Sequence, residues 1–276
     1  MSTFDYQRPR TIAEASELLS GEGAVALAGG TDLVVAMRHR KTRPSLVVDL
    51  KAIGEIGDGI EVDGDVLRIG GRAVMAIVTS DDVVRRHFPA LAQAAAVVGS
   101  VQIRNRATLA GNICNASPAA DTAPALLAYS AVVTIAGTAG GRTVSLEEFF
   151  TGPGATVLGP GEVVASIALP IPAAGNGSAF ARVTRRRGVD LASVSVACTV
   201  EPSGRARFGF GAVGPTPLVA ETETQDLTGD EGWSRLLQVT SPISDVRAGA
   251  RYRAAMLEVH SKRAFQAALA QMEATR

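Results

Sequence analysis

Between Gln102 and Asp121 the chain concentrates small residues, amides and hydroxyls: Gln102-Ile103-Arg104-Asn105-Arg106-Ala107-Thr108-Leu109-Ala110-Gly111-Asn112-Ile113-Cys114-Asn115-Ala116-Ser117-Pro118-Ala119-Ala120-Asp121. Apolar runs flank it on both sides. Small side chains let backbone approach a ligand closely, while the amides and hydroxyls can donate and accept. Asp121 is expected to cap a helix over Thr122–Ala128, the reading that residue alone favours, and could also accept from sugar hydroxyls. Arg104 and Arg106 read as solvated or facing a partner.

A second segment, Ala28-Gly29-Gly30-Thr31-Asp32-Leu33, follows an apolar strand-like run and precedes a helix-like one, Leu33 to Met37. Consecutive glycines can turn their amides toward one point and make a nest for phosphate oxygens. A helix starting near Thr31 adds free N–H groups and the positive end of its dipole. Asp32 can accept from a ribose or an amide, but repels a phosphate if turned inward. The segment is neither a Rossmann G-x-G-x-x-G nor a P-loop, since no Gly-Lys-Ser/Thr follows, and an ordinary strand-to-helix turn would look the same.

Composition narrows the chemistry. The 276 residues include 29 glycines but only 12 aromatics, and 27 basic residues balance 27 acidic ones. Zero net charge argues against a general nucleic-acid binder. Two cysteines, Cys114 and Cys198, exclude a disulfide framework and any iron–sulfur cluster ligated by four thiolates of this chain. With three histidines beside them, the residues argue against a multi-ligand metal site. His39, His87 and His260 read as surface or helix-end residues, and Cys114 as a small buried hydrophobe. No basic-then-apolar leader and no apolar run long enough to span a bilayer is visible, which predicts a soluble cytoplasmic protein.

The elements alternate. Thr11-Ile12-Ala13-Glu14 is a capping box that predicts a helix to Leu19. Ala24–Ala28 reads as a short buried strand and Ser45–Leu50 as another, giving a small parallel α/β unit. Asp63-Gly64-Asp65 joins Ile60–Val62 to Val66–Ile69 as a hairpin. Ser80-Asp81-Asp82 caps a helix, and Pro89 starts one running to Gly99. Strands follow at Ala131–Ile135, Thr143–Val144 and Glu162–Leu169. Pro170 to Gly177 reads as a linker. Beyond it, Val194, Val196, Cys198 and Val200 alternate as in a half-buried antiparallel strand. The tail is predicted helical from about Asp245, with Tyr252, Met256 and Val259 on one stripe.

These residues resemble a family. Ala28-Gly29-Gly30-Thr31-Asp32-Leu33, Thr108-Leu109-Ala110-Gly111-Asn112 and Ser117-Pro118-Ala119-Ala120-Asp121 are similar to motifs of the FAD-binding (medium) subunits of molybdenum hydroxylases, the carbon monoxide dehydrogenase and xanthine dehydrogenase type. Phe149-Phe150-Thr151-Gly152, Thr156 to Glu162, Arg185 to Ala192, Gly211 to Pro217 and Arg251-Tyr252-Arg253 extend the resemblance in order over nearly the whole chain.

The resemblance implies an α+β fold. A two-subdomain FAD-binding domain of the vanillyl-alcohol-oxidase-like class would occupy residues 1–55 and 56–172. A small C-terminal domain with an antiparallel sheet would occupy 178–276. Gly29, Gly30 and Thr31 would hold the pyrophosphate of FAD, with Leu27, Ala28, Asp32 and Leu33 around them. Thr108, Ala110, Gly111, Asn112, Asn115 and Asp121 would hold phosphate, ribityl or adenosine portions. Ile103 and Val164 would lie against the cofactor and Leu191 beside its isoalloxazine. No catalytic side chain and no metal ligand is implied, because a flavin carries its own redox chemistry.

The chain departs from the family at three places. Ala110-Gly111 stands for the usual Gly-Gly, Ala181 for a frequent lysine, and Leu191 for an aromatic in carbon monoxide dehydrogenase-like members. The implied function is an electron-transfer subunit. A molybdenum-cofactor large subunit and a 2Fe-2S small subunit would be its partners, and NAD, a quinone or oxygen the acceptor. A free-standing FAD-dependent oxidoreductase and a non-enzymatic nucleotide-binding regulator are the alternatives.

Overall fold

The computed structural model describes residues 3–186 and 188–274; Arg187, within the Arg185 to Ala192 stretch of the resemblance, lies outside the described residues. The first lobe comprises β1 (Asp5–Gln7), α1 (Ile12–Leu19), β2 (Ala24–Leu27), α2 (Leu33–Arg38) and β3 (Leu46–Asp49). Its three strands lie in the order β1-β3-β2, all parallel, as crossover helices require. The strand β1 has no sequence signature, because all three of its residues are exposed.

The Thr11 hydroxyl accepts from the Glu14 amide at 3.2 Å, as predicted. Glu14 reaches back one residue further than a capping box requires, to the Arg10 amide at 2.8 Å. The strand β2 is only half-buried rather than buried. One of its faces packs on α1, and the other opens, through Ala26, onto a cavity.

The second lobe begins with the hairpin β4 (Ile60–Asp63) and β5 (Val66–Gly70). Six short helices follow: α3 (Met75–Ser80), α4 (Asp82–His87), α5 (Pro89–Ala96), α6 (Val101–Arg104), α7 (Leu109–Cys114) and α8 (Thr122–Ala128). Asp81 caps α4 by accepting from the Val84 amide at 2.9 Å. The helix α5 stops at Ala96, short of the predicted Gly99, where φ is +54°.

Next come β6 (Val132–Gly137), β7 (Gly140–Ser145), α9 (Leu146–Phe149), the small pair β8 (Phe150–Gly152) and β9 (Ala155–Thr156), and β10 (Val163–Pro170). The sheet order is β4-β5-β10-β6-β7 with antiparallel neighbours. Its core includes Leu67, Ile69, Leu109 and Ile135, and Phe88 packs edge-on against Tyr129 at 5.0 Å between centroids. A bulge between Val164 and Ser166 bends β10 beside the cavity.

The last lobe is an antiparallel meander of β11 (Gly177–Val183), β12 (Val194–Val200), β13 (Arg205–Gly211) and β14 (Leu218–Glu223), then α10 (Asp230–Leu237) and α11 (Ala250–Ala274). Two expectations are corrected here. First, β12 is buried on both faces, not one: α11 covers one side and α8 the other. A Cβ on Gly209 would sit 1.9 Å from the Pro124 carbonyl oxygen, so β13 and α8 meet backbone to backbone. Second, α11 starts at Ala250 and buries Arg253, Leu257, Ser261, Ala264 and Phe265, one position round from the predicted stripe; Tyr252 is 50% exposed.

Candidate functional site: a cavity floored by two glycine segments

The two glycine-rich segments, some eighty residues apart, meet. A Cβ on Gly29 would lie 2.1 Å from the Arg106 carbonyl oxygen and 2.9 Å from the Ala107 Cα. That is a backbone-to-backbone approach only glycine permits. Gly30 has φ +77°, a left-handed turn that swings the chain from β2 into α2. Asp32 makes no side-chain cap on α2, and the Val34 amide donates instead to the Gly30 carbonyl at 3.0 Å.

The second segment is stapled from beneath. The Met75 amide donates to the Ala107 carbonyl at 2.8 Å and the Leu109 amide to the Ala73 carbonyl at 3.1 Å. Thr108 caps α7, its hydroxyl accepting from the Gly111 amide at 3.0 Å.

Above this floor lies a cavity of about 770 Å³, within the ~300–1,000 Å³ of small-molecule sites. Ala28, Gly29, Gly30, Thr31, Asp32 and Leu33 line it from the first segment. Thr108, Ala110, Gly111, Asn112, Asn115 and Asp121 line it from the second, and Ile103, Val164 and Leu191 from the walls. Of the residues expected there, Leu27 alone does not line it. It precedes the turn, and its Cδ1 lies against Gly30, 2.9 Å from where a Cβ there would sit.

Polar groups are fixed in place around the cavity. Asn112 Oδ1 accepts from the Thr122 hydroxyl at 2.6 Å, which leaves the Asn112 amide nitrogen to donate. Asp121 was expected to cap α8 and does not: its backbone is already helical and its side chain makes no cap bond. Its Oδ2 accepts instead from Arg182 Nη1 at 2.6 Å. Its Oδ1 is buried with no partner among the described residues. Burial pushes the Asp121 carboxyl up to about 6, against the downward pull of Arg182. Burial also pushes the Cys114 thiol up to about 12, so this cysteine stays a neutral, inert neighbour.

Gly71, Arg72 and Asp190, not foreseen, also line the cavity, as does Arg186 from the Arg185 to Ala192 stretch. Gly70-Gly71 is a third close approach: a Cβ on Gly71 would sit 2.3 Å from the Val164 carbonyl oxygen. A glycine pair closing a strand was the available signal. Arg72 donates to the Ile56 and Lys51 carbonyls and so ties the two lobes beneath the cavity. The loop after β11 carries Arg186, Val189, Asp190 and Leu191 to the rim, where Leu191 is 52% exposed. Its base is clamped by Arg253, 2% exposed, which donates to the carbonyls of Ser193 at 2.6 Å and Ala212 at 2.9 Å and pairs with Asp245 at 2.7 Å.

Residues 2–172 match the family described as the FAD binding domain in molybdopterin dehydrogenase, and residues 179–268 match the CO dehydrogenase flavoprotein C-terminal domain. The carbon monoxide dehydrogenase medium chain of Afipia carboxidovorans is 32% identical over 97% of this chain and 97% of its own length. The xanthine dehydrogenase FAD-binding subunit of Escherichia coli O157:H7 is 32% identical over 96% of each. Among solved structures, reconstituted CO dehydrogenase from Oligotropha carboxidovorans superposes with a TM-score of 0.92 at 32% identity, covering 98% of this chain and 99% of that one. Quinoline 2-oxidoreductase from Pseudomonas putida 86 does so with a TM-score of 0.89 at 27% identity, covering 98% and 99%.

Fold and site together define an FAD-binding oxidoreductase subunit, in the α+β, vanillyl-alcohol-oxidase-like architecture with a small antiparallel C-terminal domain. The chain belongs to the FAD-binding (medium) subunits of the molybdenum hydroxylases. The cavity fits that cofactor by its own chemistry. It offers closely approached backbone at Gly29 and Gly71, a fixed amide donor at Asn112, and at Asp121 a buried acceptor that lacks a donor among the described residues. Among the described residues no helix is long and apolar enough to cross a membrane.

Proposed function

We propose that this chain is the electron-transfer subunit of a molybdenum hydroxylase complex. It takes electrons from the 2Fe-2S clusters of a small partner subunit, while a large molybdenum-cofactor subunit oxidises the substrate. The acceptor is external: NAD, a quinone or oxygen. FAD, when bound, supplies the redox centre, and the protein supplies binding and orientation.

Backbone at Gly29, Gly30 and Thr31 holds the pyrophosphate from one side; Thr108, Gly111 and Asn112 close on the cofactor from the other, with the Asn112 side-chain amide as donor. Asp121 accepts from sugar or ribityl hydroxyls. Ile103, Val164 and Leu191 provide apolar contact for the ring system. The observation carrying this assignment is the convergence of the two glycine segments on one cavity.

Two cysteines leave the chain no four-thiolate cluster of its own, so on this reading the 2Fe-2S clusters belong to the partner subunit. Purification of the native complex, with metal analysis and a visible spectrum, tests this. Flavin, iron and molybdenum co-purifying with this chain support it. A chain that purifies alone and turns over a substrate without partners contradicts it.

A further inference from the structure

Arg182 lies on β11, in the C-terminal lobe, yet its partner lies on the wall of the FAD cavity. It pairs with Asp121 at 2.6 Å, and the two side chains are only 14% and 8% exposed. Alternation along the strand explains the reach. Ala181, opposite Val196, packs into the C-terminal core, so Arg182, opposite Ser195, projects from the other face, toward α8. A cation at position 182 therefore meets Asp121, whereas one at 181 would not.

The pair changes what Asp121 can do. A residue opening a helix ordinarily turns its carboxylate onto the helix's own amides. Here Arg182 holds Oδ2, no cap forms, and Oδ1 is left buried without a donor among the described residues, in a residue that lines the cavity. A buried acceptor with no donor is destabilising, and a bound ligand's hydroxyl would relieve that.

We propose that Arg182 is a positioning residue for FAD: it fixes Asp121 so that Oδ1 meets a cofactor hydroxyl, and it thereby ties cofactor affinity to the seating of the C-terminal sheet. This deepens the cofactor assignment and rests on it. Arg182 is the charged group facing Asp121 from β11; the cavity's other ionisable lining groups are Asp32, Arg72, Cys114, Glu162, Arg186 and Asp190. Loss of the guanidinium removes the one downward pull on a carboxyl that burial already raises, so Asp121 becomes neutral at higher pH.

The test is titration of the flavin-stripped full chain with FAD, followed by flavin fluorescence across a pH series, with near-UV circular dichroism to check folding. Arg182→Met is expected to weaken FAD binding about ten- to hundredfold, as loss of a charge-assisted contact would. It should also move the acid limb of the affinity profile upward, and Arg182→Lys should restore most of both. The double variant Arg182→Met/Asp121→Asn should bind no worse than the worse single one.

A folded Arg182→Met with wild-type affinity and an unmoved profile overturns the role of Arg182 alone. If that variant does not fold, Asp121→Asn decides: a flattened profile supports the proposal and an unchanged one overturns it. A wild-type chain that takes up no FAD overturns the cofactor assignment itself, and the proposal with it.

Discussion

The floor and the rim of the cavity are built on different principles. The floor is backbone: Gly29 presses on the 106–107 peptide, Gly71 on the Val164 carbonyl, and Gly30 turns with positive φ. The rim is side chain: Arg182 holds Asp121, Arg253 clamps the loop base, and Leu191 stands half in solvent. A backbone floor leaves no room for an added atom, and on the proposed reading it is the part that meets the diphosphate, common to every FAD. A side-chain rim can vary, and Leu191 stands on it where the resemblance puts an aromatic in carbon monoxide dehydrogenase-like members.

Breaking the rim at its deepest point should have the largest effect. Arg253→Ala removes a buried guanidinium that serves two carbonyls and Asp245, and is expected to lower stability by about 3–5 kcal/mol in urea unfolding. The floor should be nearly as intolerant. Gly29→Ala is expected to cost about 1–3 kcal/mol through overpacking, with flavin occupancy lost in the visible spectrum.

Acid separates the two regions more gently. The Arg247 amide, then the Ala248 amide and Arg253, hold the Asp245 carboxyl down at about 2. Because the folded value lies below the unfolded one, its stabilisation is present above about pH 4 and is lost as pH falls toward the folded value. The unfolding midpoint should drop across that window, and Asp245→Asn should flatten the drop. The smallest effect belongs to the exposed rim: Leu191→Ala should change stability by less than about 0.5 kcal/mol in thermal melts and leave flavin bound.

The same division governs what the sequence discloses. The floor was legible, because glycine and small polar residues at tight turns are local signals: Gly29-Gly30 and Thr108 to Asn112 stand out before any contact is known. The hairpin about Gly64 and the Asp81 cap are local in the same way. What escaped depends on neighbours distant in sequence. The strand β1 exists only by pairing with β3. Alternation in β12 shows one apolar face but cannot show that α8 covers the other. The stripe on α11 was placed one residue off because Arg253, the position it should have included, is charged. Asp121 reads as a helix cap from its local sequence because its competing partner, Arg182, is sixty-one residues away.

A structure of the full chain with FAD bound bears most directly on the central claim, that two separated backbone segments close on one coenzyme beneath the C-terminal sheet. The account predicts the diphosphate within hydrogen-bond reach of amides in both the 29–31 and 108–112 segments, with Asp121 Oδ1 accepting from a cofactor hydroxyl. A coenzyme seated on only one of those segments, or outside this cavity, would contradict it.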